Sequence, residues 1–342
     1  MVGGGTPDTT VPSLWNGDIQ WFTPTEVGHQ KYVSKSARTI TQLGLQKSSA
    51  KKLPAGSILL SSRATIGECS IAQRECTTNQ GFQNLIPKND TNNEFLYYLA
   101  QTKKHHFIKY ASGSTFLEIS NSEIRKTKCT VPGTEEQTHI AAFLSALDDR
   151  ISVQNKIISK YETLIKGLCD MIFRHNKSVS LSDLVKCKTS ALQENMVSTC
   201  HRGEYKVLGA SGAIAAIDTY QFEESGILVL KDGSKAGKIQ FAEGKYSVIG
   251  TSVVLIPNEA CDARYLYFAM SSIDFEKYKV GSGIPHIYFK DYSNERIYYP
   301  EKSLRKRITE ALDAYDIKLG IEKEMLSALQ KQKAFLIKSM FI

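Results

Sequence analysis

The chain repeats itself. At a fixed offset of 170 residues, Gly56-Ser57-Ile58-Leu59 lines up with Gly226-Ile227-Leu228-Val229, Gly67 with Gly237, and Ile86-Pro87 with Ile256-Pro257, all without a gap. Tyr97-Tyr98-Leu99 stands opposite Tyr267-Phe268-Ala269, and Val131-Pro132 faces Tyr299-Pro300 at an offset of 168. Self-similarity of this kind means one structural unit used twice. The length of 342 residues suits two such units, at about 150 residues per domain. Within each unit a short apolar run (Ser57 to Leu60; Ile227 to Leu230) leads through a Gly turn to a second run and a third ending at Pro87 or Pro257. These read as strands. Helical candidates follow at Asn93 to Ala100 and Ala263 to Ser271, then a Gly/Ser loop and one more strand, so each half is mixed α and β.

After each proline comes a longer helical pattern. Leu144, Ile151, Ile158, Ile165 and Ile172 recur every seven residues, as do Leu312, Leu319 and Leu326, with Leu329 in the companion register. Sustained heptads make a coiled-coil seam. Helices of some 35 to 40 residues would be on the order of 55 Å long. Because domain, helix, domain, helix supplies both partners in one chain, an antiparallel intramolecular pair is favoured over dimerisation between chains. Gln154, Glu322 and Lys333 interrupt the seams and either face water or another subunit or set the register. The expected fold class is α+β, two repeated mixed α/β domains joined by two long antiparallel coiled-coil helices. The divisions are 1–133, 134–176, 177–300 and 301–342.

A hydrophobic content of 42% with 23% charged residues excludes disordered and fibrous classes. No apolar run reaches the roughly 18 residues of a membrane helix, and the first residues lack a basic start and apolar stretch, so a cytoplasmic protein is expected. The seven cysteines are odd in number and scattered, which reads as reduced thiols. None forms a Cys-x-x-Cys pair, and neither metal nor other cofactor is expected. The net charge of +8 suits a polyanionic partner. It is uneven: residues 1–133 hold 15 Lys+Arg against 9 Asp+Glu, whereas residues 177–300 hold 14 against 14.

Several motifs carry a family resemblance. Gly3-Gly4-Gly5-Thr6-Pro7, Trp15-Asn16-Gly17-Asp18-Ile19-Gln20-Trp21, Ile58 to Gly67, Thr78-Asn79-Gln80-Gly81-Phe82, Gly113 to Ser120 and Val131-Pro132-Gly133-Thr134-Glu135-Glu136-Gln137 resemble the DNA-specificity (S) subunit of Type I restriction-modification enzymes. The likeness covers nearly the whole chain. It departs where Gly233 stands at the fixed offset from Arg63, and where Glu301-Lys302-Ser303 follows Pro300. It implies that each half is a target recognition domain reading one part of a split DNA site, while the helices space the halves and dock two methyltransferase subunits. Restriction subunits would join that core. Members open with a strand before the Gly-Gly-Gly-Thr-Pro turn; here the chain is expected to begin inside its first repeat, with Ser180-Leu181-Ser182-Asp183-Leu184 as the counterpart strand in the second.

Candidate DNA contacts are the basic residues Lys51, Lys52, Arg63, Lys103, Lys104 and Lys109 of the first repeat. Each reads alternatively as a solvated surface charge. Arg63 stands out, lying between a strand and a Gly turn where its fork would reach a guanine edge. Lys231 and Lys235 flank the equivalent turn. Ser112, Ser114, Thr115 and Ser282 beside glycines would admit a phosphate or make plain tight turns. His286, Tyr288 and Lys290 form a polar stretch, with strand packing the blander reading of Tyr288. Asp232 with Glu243-Gly244-Lys245 superficially resembles a nuclease site, and coincidence is the favoured account. The expected function is a non-catalytic subunit that binds double-stranded DNA. The alternatives are a coiled-coil assembly adaptor without DNA binding and a self-sufficient nuclease or methyltransferase.

Overall fold

The computed structural model describes residues 1–113, 117–175, 178–197, 202–259, 262–281 and 283–341. Two compact units result, Met1–Gln154 with Met325–Ile342, and Asn155–Glu324.

In the first unit, Ile58–Leu60 and Cys69–Ala72 pair antiparallel with every residue buried. Burial on both faces is why these runs are continuously apolar rather than alternating. Tyr32–Val33 runs parallel along Cys69–Ala72, and Ile58 bridges Leu85 beside Gln83–Asn84, whose partner is Val2–Gly3. Helix Asn93–Thr102 begins where the Asn92 side chain accepts from the backbone N–H groups of Glu94 and Phe95. Its Phe95, Tyr98 and Leu99 enter one core with Ile58, Leu60, Cys69 and Ile71. In a second sheet, Trp15–Phe22 lies between antiparallel Arg38–Ile40 and parallel Cys76–Thr78.

The glycine motif serves close approach. A Cβ on Gly4 would stand 1.9 Å from the Asn79 carbonyl oxygen, and one on Gly5 2.3 Å from the Ala50 nitrogen. The crowded strand end pins both tryptophans, since Trp21 Nε1 donates to the Gly5 carbonyl at 2.8 Å and Trp15 Nε1 to that of Asp8 at 2.9 Å.

The second unit rebuilds this plan. Val185–Thr189, Ser252–Pro257, Gly226–Leu230 and Ile239–Ala242 form an antiparallel sheet in that order. Tyr205–Gly209 lies between antiparallel Gly212–Ile217 and parallel Tyr246–Val248. Helix Ala263–Met270 supplies Tyr265, Leu266 and Phe268 to the core. Of the strand expected over residues 180–184 only Ser180 is in a strand, Val179–Ser180 paired with Arg296–Ile297; Leu181–Leu184 is a short helix, and Val185–Thr189 pairs with five residues of Ser252–Pro257. Its counterpart Val2–Gly3 pairs with two.

Two long helices, Thr134–Phe173 and Lys302–Met340, contribute to both units. In the first unit Ala141 and Leu144 share a core with Met340 and Phe341, and Lys333 pairs with Asp148. In the second, Cys169 and Phe173 share a core with Leu312, and Lys323 meets Glu162 at 2.8 Å. Rising numbers on one helix meet falling numbers on the other, so each unit contains an antiparallel helix pair. Of the seam residues, Leu144, Ile158, Leu312, Leu319 and Leu329 are buried, and Ile151, Ile165 and Leu326 half-buried. Gln154 and Glu322 do not face water; both are buried, and Glu322 accepts the Lys318 ammonium at 2.9 Å.

Each long helix is hooked to its own unit in its first turn. Buried Gln137 donates to the Pro132 carbonyl at 2.9 Å and accepts the Asn92 N–H at 2.9 Å. Arg305 donates to the Pro300 carbonyl at 2.7 Å and holds the Asp262 carboxylate at 2.9 and 3.0 Å. The departure after Pro300 thus replaces an amide hook with an ion pair, two residues further into the helix than Ser303.

Candidate nucleic-acid interface

In both units the loop after the central strand is closed by the same backbone bonds. Gly67 N–H reaches the Ser61 carbonyl at 2.9 Å and Gly237 N–H the Leu230 carbonyl at 2.8 Å. Both glycines have left-handed φ, +84° and +87°, under a side chain from a neighbouring segment, Lys104 and Phe275 respectively. A second segment pins the loop: Ser112 and Glu118 exchange backbone bonds at 2.9 Å, as Val280 and His286 do at 2.9 and 2.8 Å.

These bridges define which residues correspond. Arg63 bridges Glu118, and Asp232 bridges His286. The structural counterpart of Arg63 is therefore Asp232, one residue before the Gly233 that the fixed offset selects, because the second loop carries one residue more. Arg63 donates to the Glu118 carboxylate from both Nε, at 3.0 Å, and Nη2. In the second unit Asp232 Oδ1 lies 2.7 Å from His286 Nδ1. The repeat keeps a cross-loop polar pair and reverses which strand carries the carboxylate.

The other candidates scatter. Lys104 pairs with Glu68, and Lys52 with Glu75 at 2.7 Å. Lys51 is exposed with no ion pair among the described residues. Lys103 is half-buried before helix Lys104–Lys109, and Lys109 lies over the Tyr110 ring at 5.7 Å. Lys231 is half-buried, its backbone holding Thr251 and Ile287 at 2.9 Å each. Lys235 donates to Ser211 at 3.0 Å. Lys290 lies 5.6 Å over the Tyr288 ring. Tyr288 is not a packed strand residue: it is 51% exposed and precedes the short helix Phe289–Tyr292. Ser114, Thr115 and Ser282 lie outside the described residues.

Other chemistry finds little support. Asp232 faces His286 while Lys245 lies on the Tyr220 ring, so the nuclease-like triple is committed elsewhere. Among the described residues no three His, Cys, Asp or Glu side chains group as a metal site. Burial pushes the Cys69 and Cys76 thiols up to about 12, which leaves them unreactive. No helix among the described residues is long and apolar enough to cross a membrane.

Reading the sequence misses two cation and aromatic clusters. Arg38 lies on Trp15 and Trp21 in the first unit, and Lys245 on Tyr205 and Tyr220 in the second. The chain's two tryptophans, six residues apart, were the available signal. Strand pairing brings Arg38 to them from another segment.

The sequence model of the Type I restriction modification DNA specificity domain matches residues 2–163 and 174–331. The chain belongs to this family. Both copies of the specificity domain coincide with the repeated recognition units and run into the long helices. The MjaIX specificity subunit of Methanocaldococcus jannaschii is 41% identical over 167 residues, 47% of this chain and 39% of that protein. The alignment thus spans well under half of that relative. The EcoprrI specificity subunit of Escherichia coli is 21% identical over 339 residues, 92% of this chain and 84% of its own. The solved S subunit of a Type-I restriction-modification system from M. genitalium has the same fold, with TM-score 0.62, 16% identity and coverage of 100% and 99% of the two chains.

Proposed function

We propose that this chain is the sequence-reading subunit of a Type I restriction-modification complex. Each recognition unit reads one half of a bipartite site on double-stranded DNA, and the long helices set the distance between the halves. The observation that carries this reading is the pairing of two specificity-domain matches with two copies of one recognition fold. A split site demands two base-reading surfaces at fixed separation, since half-sites one turn apart lie about 34 Å apart along B-DNA. Helices of 40 and 39 residues exceed that length at about 1.5 Å per residue. Their exposed apolar residues, Phe143, Leu164, Ile317 and Phe335 among them, offer docking positions for two methyltransferase subunits, which restriction subunits join. Catalysis belongs to those partners, and the chain works beside them in the cytoplasm.

The charge balance of residues 177–300, 14 against 14, favours a second reading in which the chain is an assembly adaptor without DNA binding. Methylome sequencing of cells carrying this chain and its methyltransferase decides between them. A methylated motif in two parts separated by a constant gap is expected. Methylation unchanged on deletion of the chain sinks the DNA reading.

A further inference from the structure

Arg63, the arginine that turn geometry singles out, has its guanidinium on the Glu118 carboxylate. Arg38 is in the opposite condition. The antiparallel register sets it across from Trp21. Its guanidinium carbon lies 3.6 Å from the centroid of the Trp15 ring and 5.6 Å from that of Trp21. The residue is exposed, and among the described residues no acceptor takes its side-chain N–H groups. The platform beneath is rigid. Both indoles are buried, each is tied through Nε1 to a backbone carbonyl, and the rings meet edge to face at 5.0 Å and 88°.

The guanidinium therefore lies against an indole ring while the residue stays exposed and its N–H groups have no acceptor among the described residues. Stacking on an indole attracts the cation and limits the rotamers available to the free side chain, so less freedom is lost on binding. A planar fork held this way matches a pair of acceptors lying in one plane. On DNA that pair is O6 and N7 of guanine in the major groove, or two oxygens of one phosphate. In the second repeat exposed Lys245 lies 4.8 Å from the Tyr220 ring and 5.8 Å from that of Tyr205, but those rings are themselves exposed or half-buried, so only the first repeat holds its cation on a buried platform.

We infer that Arg38 is a base-reading residue of the first repeat, its stacked fork contacting a guanine of one half-site. The assignment rests on the DNA reading proposed above. The test uses the full chain assembled with its methyltransferase subunits, selecting from a library of duplexes carrying about 25 randomised base pairs. The unaltered chain and the variants Arg38→Ala and Arg38→Gln are selected in parallel, the second keeping a long polar side chain should the first disturb the tryptophan platform. The unaltered chain is expected to enrich a two-part motif. Both variants should lose the guanine preference at one position of one part, with discrimination there falling on the order of 10- to 100-fold and the other part unchanged. Variants that enrich the unaltered motif at every position, with or without uniform weakening on all duplexes, overturn the base-reading role; uniform weakening assigns Arg38 to phosphate. No enrichment by the unaltered chain overturns the DNA reading itself.

Discussion

Lys31 shows how much a single half-buried charge organises. Its ammonium donates to Glu94 at 2.9 Å, Tyr98 at 3.2 Å and Ser145 at 2.8 Å, joining the bend before strand Tyr32–Val33, helix Asn93–Thr102 and a long helix inside one unit. Burial pushes the Glu94 carboxyl up, but hydrogen bonds from Tyr32 and Lys31 together with the Lys31 charge outweigh it, so its pKa sits below the ordinary 4.5. A carboxylate lowered on folding adds stability that is complete above its unfolded value and is lost as pH falls through the folded one. The urea midpoint should therefore drop below about pH 4.5, with a shallower acid limb in Glu94→Gln. An identical limb in the variant would show that other carboxylates govern acid unfolding. Steric limits act at the same scale. Gly4→Ala drives a Cβ against the Asn79 carbonyl and should cost about 1 to 3 kcal/mol in chemical denaturation; a change within error would mean that the segment yields freely.

Elements are positioned by their first turns. The Asp262 side chain is 5% exposed, so Arg305→Ala strands a carboxylate away from water and should cost about 3 to 5 kcal/mol. Gln137→Ala removes neutral bonds only and should cost about 1 to 3 kcal/mol. Thermal melts of the two variants check the order, and equal losses would contradict the distinction between charged and neutral hooks. Along the seam, Ile158 is buried and Leu326 half-buried. Ile158→Asp should cost on the order of 3 kcal/mol or more, and Leu326→Asp less, since its carboxylate keeps water. An unchanged melting midpoint for Ile158→Asp would remove that residue from the seam.

At the scale of the whole molecule, residues 1–133 carry an excess of basic residues that residues 177–300 lack, although both segments carry a cation on an aromatic pair. If each recognition unit reads independently, replacing residues 1–133 with the matching segment of another family member should change one part of the methylated motif and leave the other intact. Methylome sequencing of the exchange strain gives the answer, and a change in both parts would mean that the units read as one surface.

The sequence by itself determined the duplication, the core strands and the following helix of each repeat, and the two heptad helices, because apolar periodicity and glycine placement are local patterns with one economical fold; the strand it predicted before Pro132 is absent, residues 127–133 being irregular. It also carried the family, through motifs that sit at crowded turns such as Gly4 and Gly5. Tertiary structure decided what each charge does. Arg63 looked free because Glu118 lies 55 residues away, and Arg38 looked ordinary because Trp15 reaches it only through strand pairing. The same holds for the chain's end: Ile337, Met340 and Phe341 pack into the first unit's core, with the Phe341 ring 5.1 Å from that of Phe95. Periodicity specifies which face of an element is apolar. Which distant side chain meets a given charge or ring depends on register and packing, which no local pattern encodes.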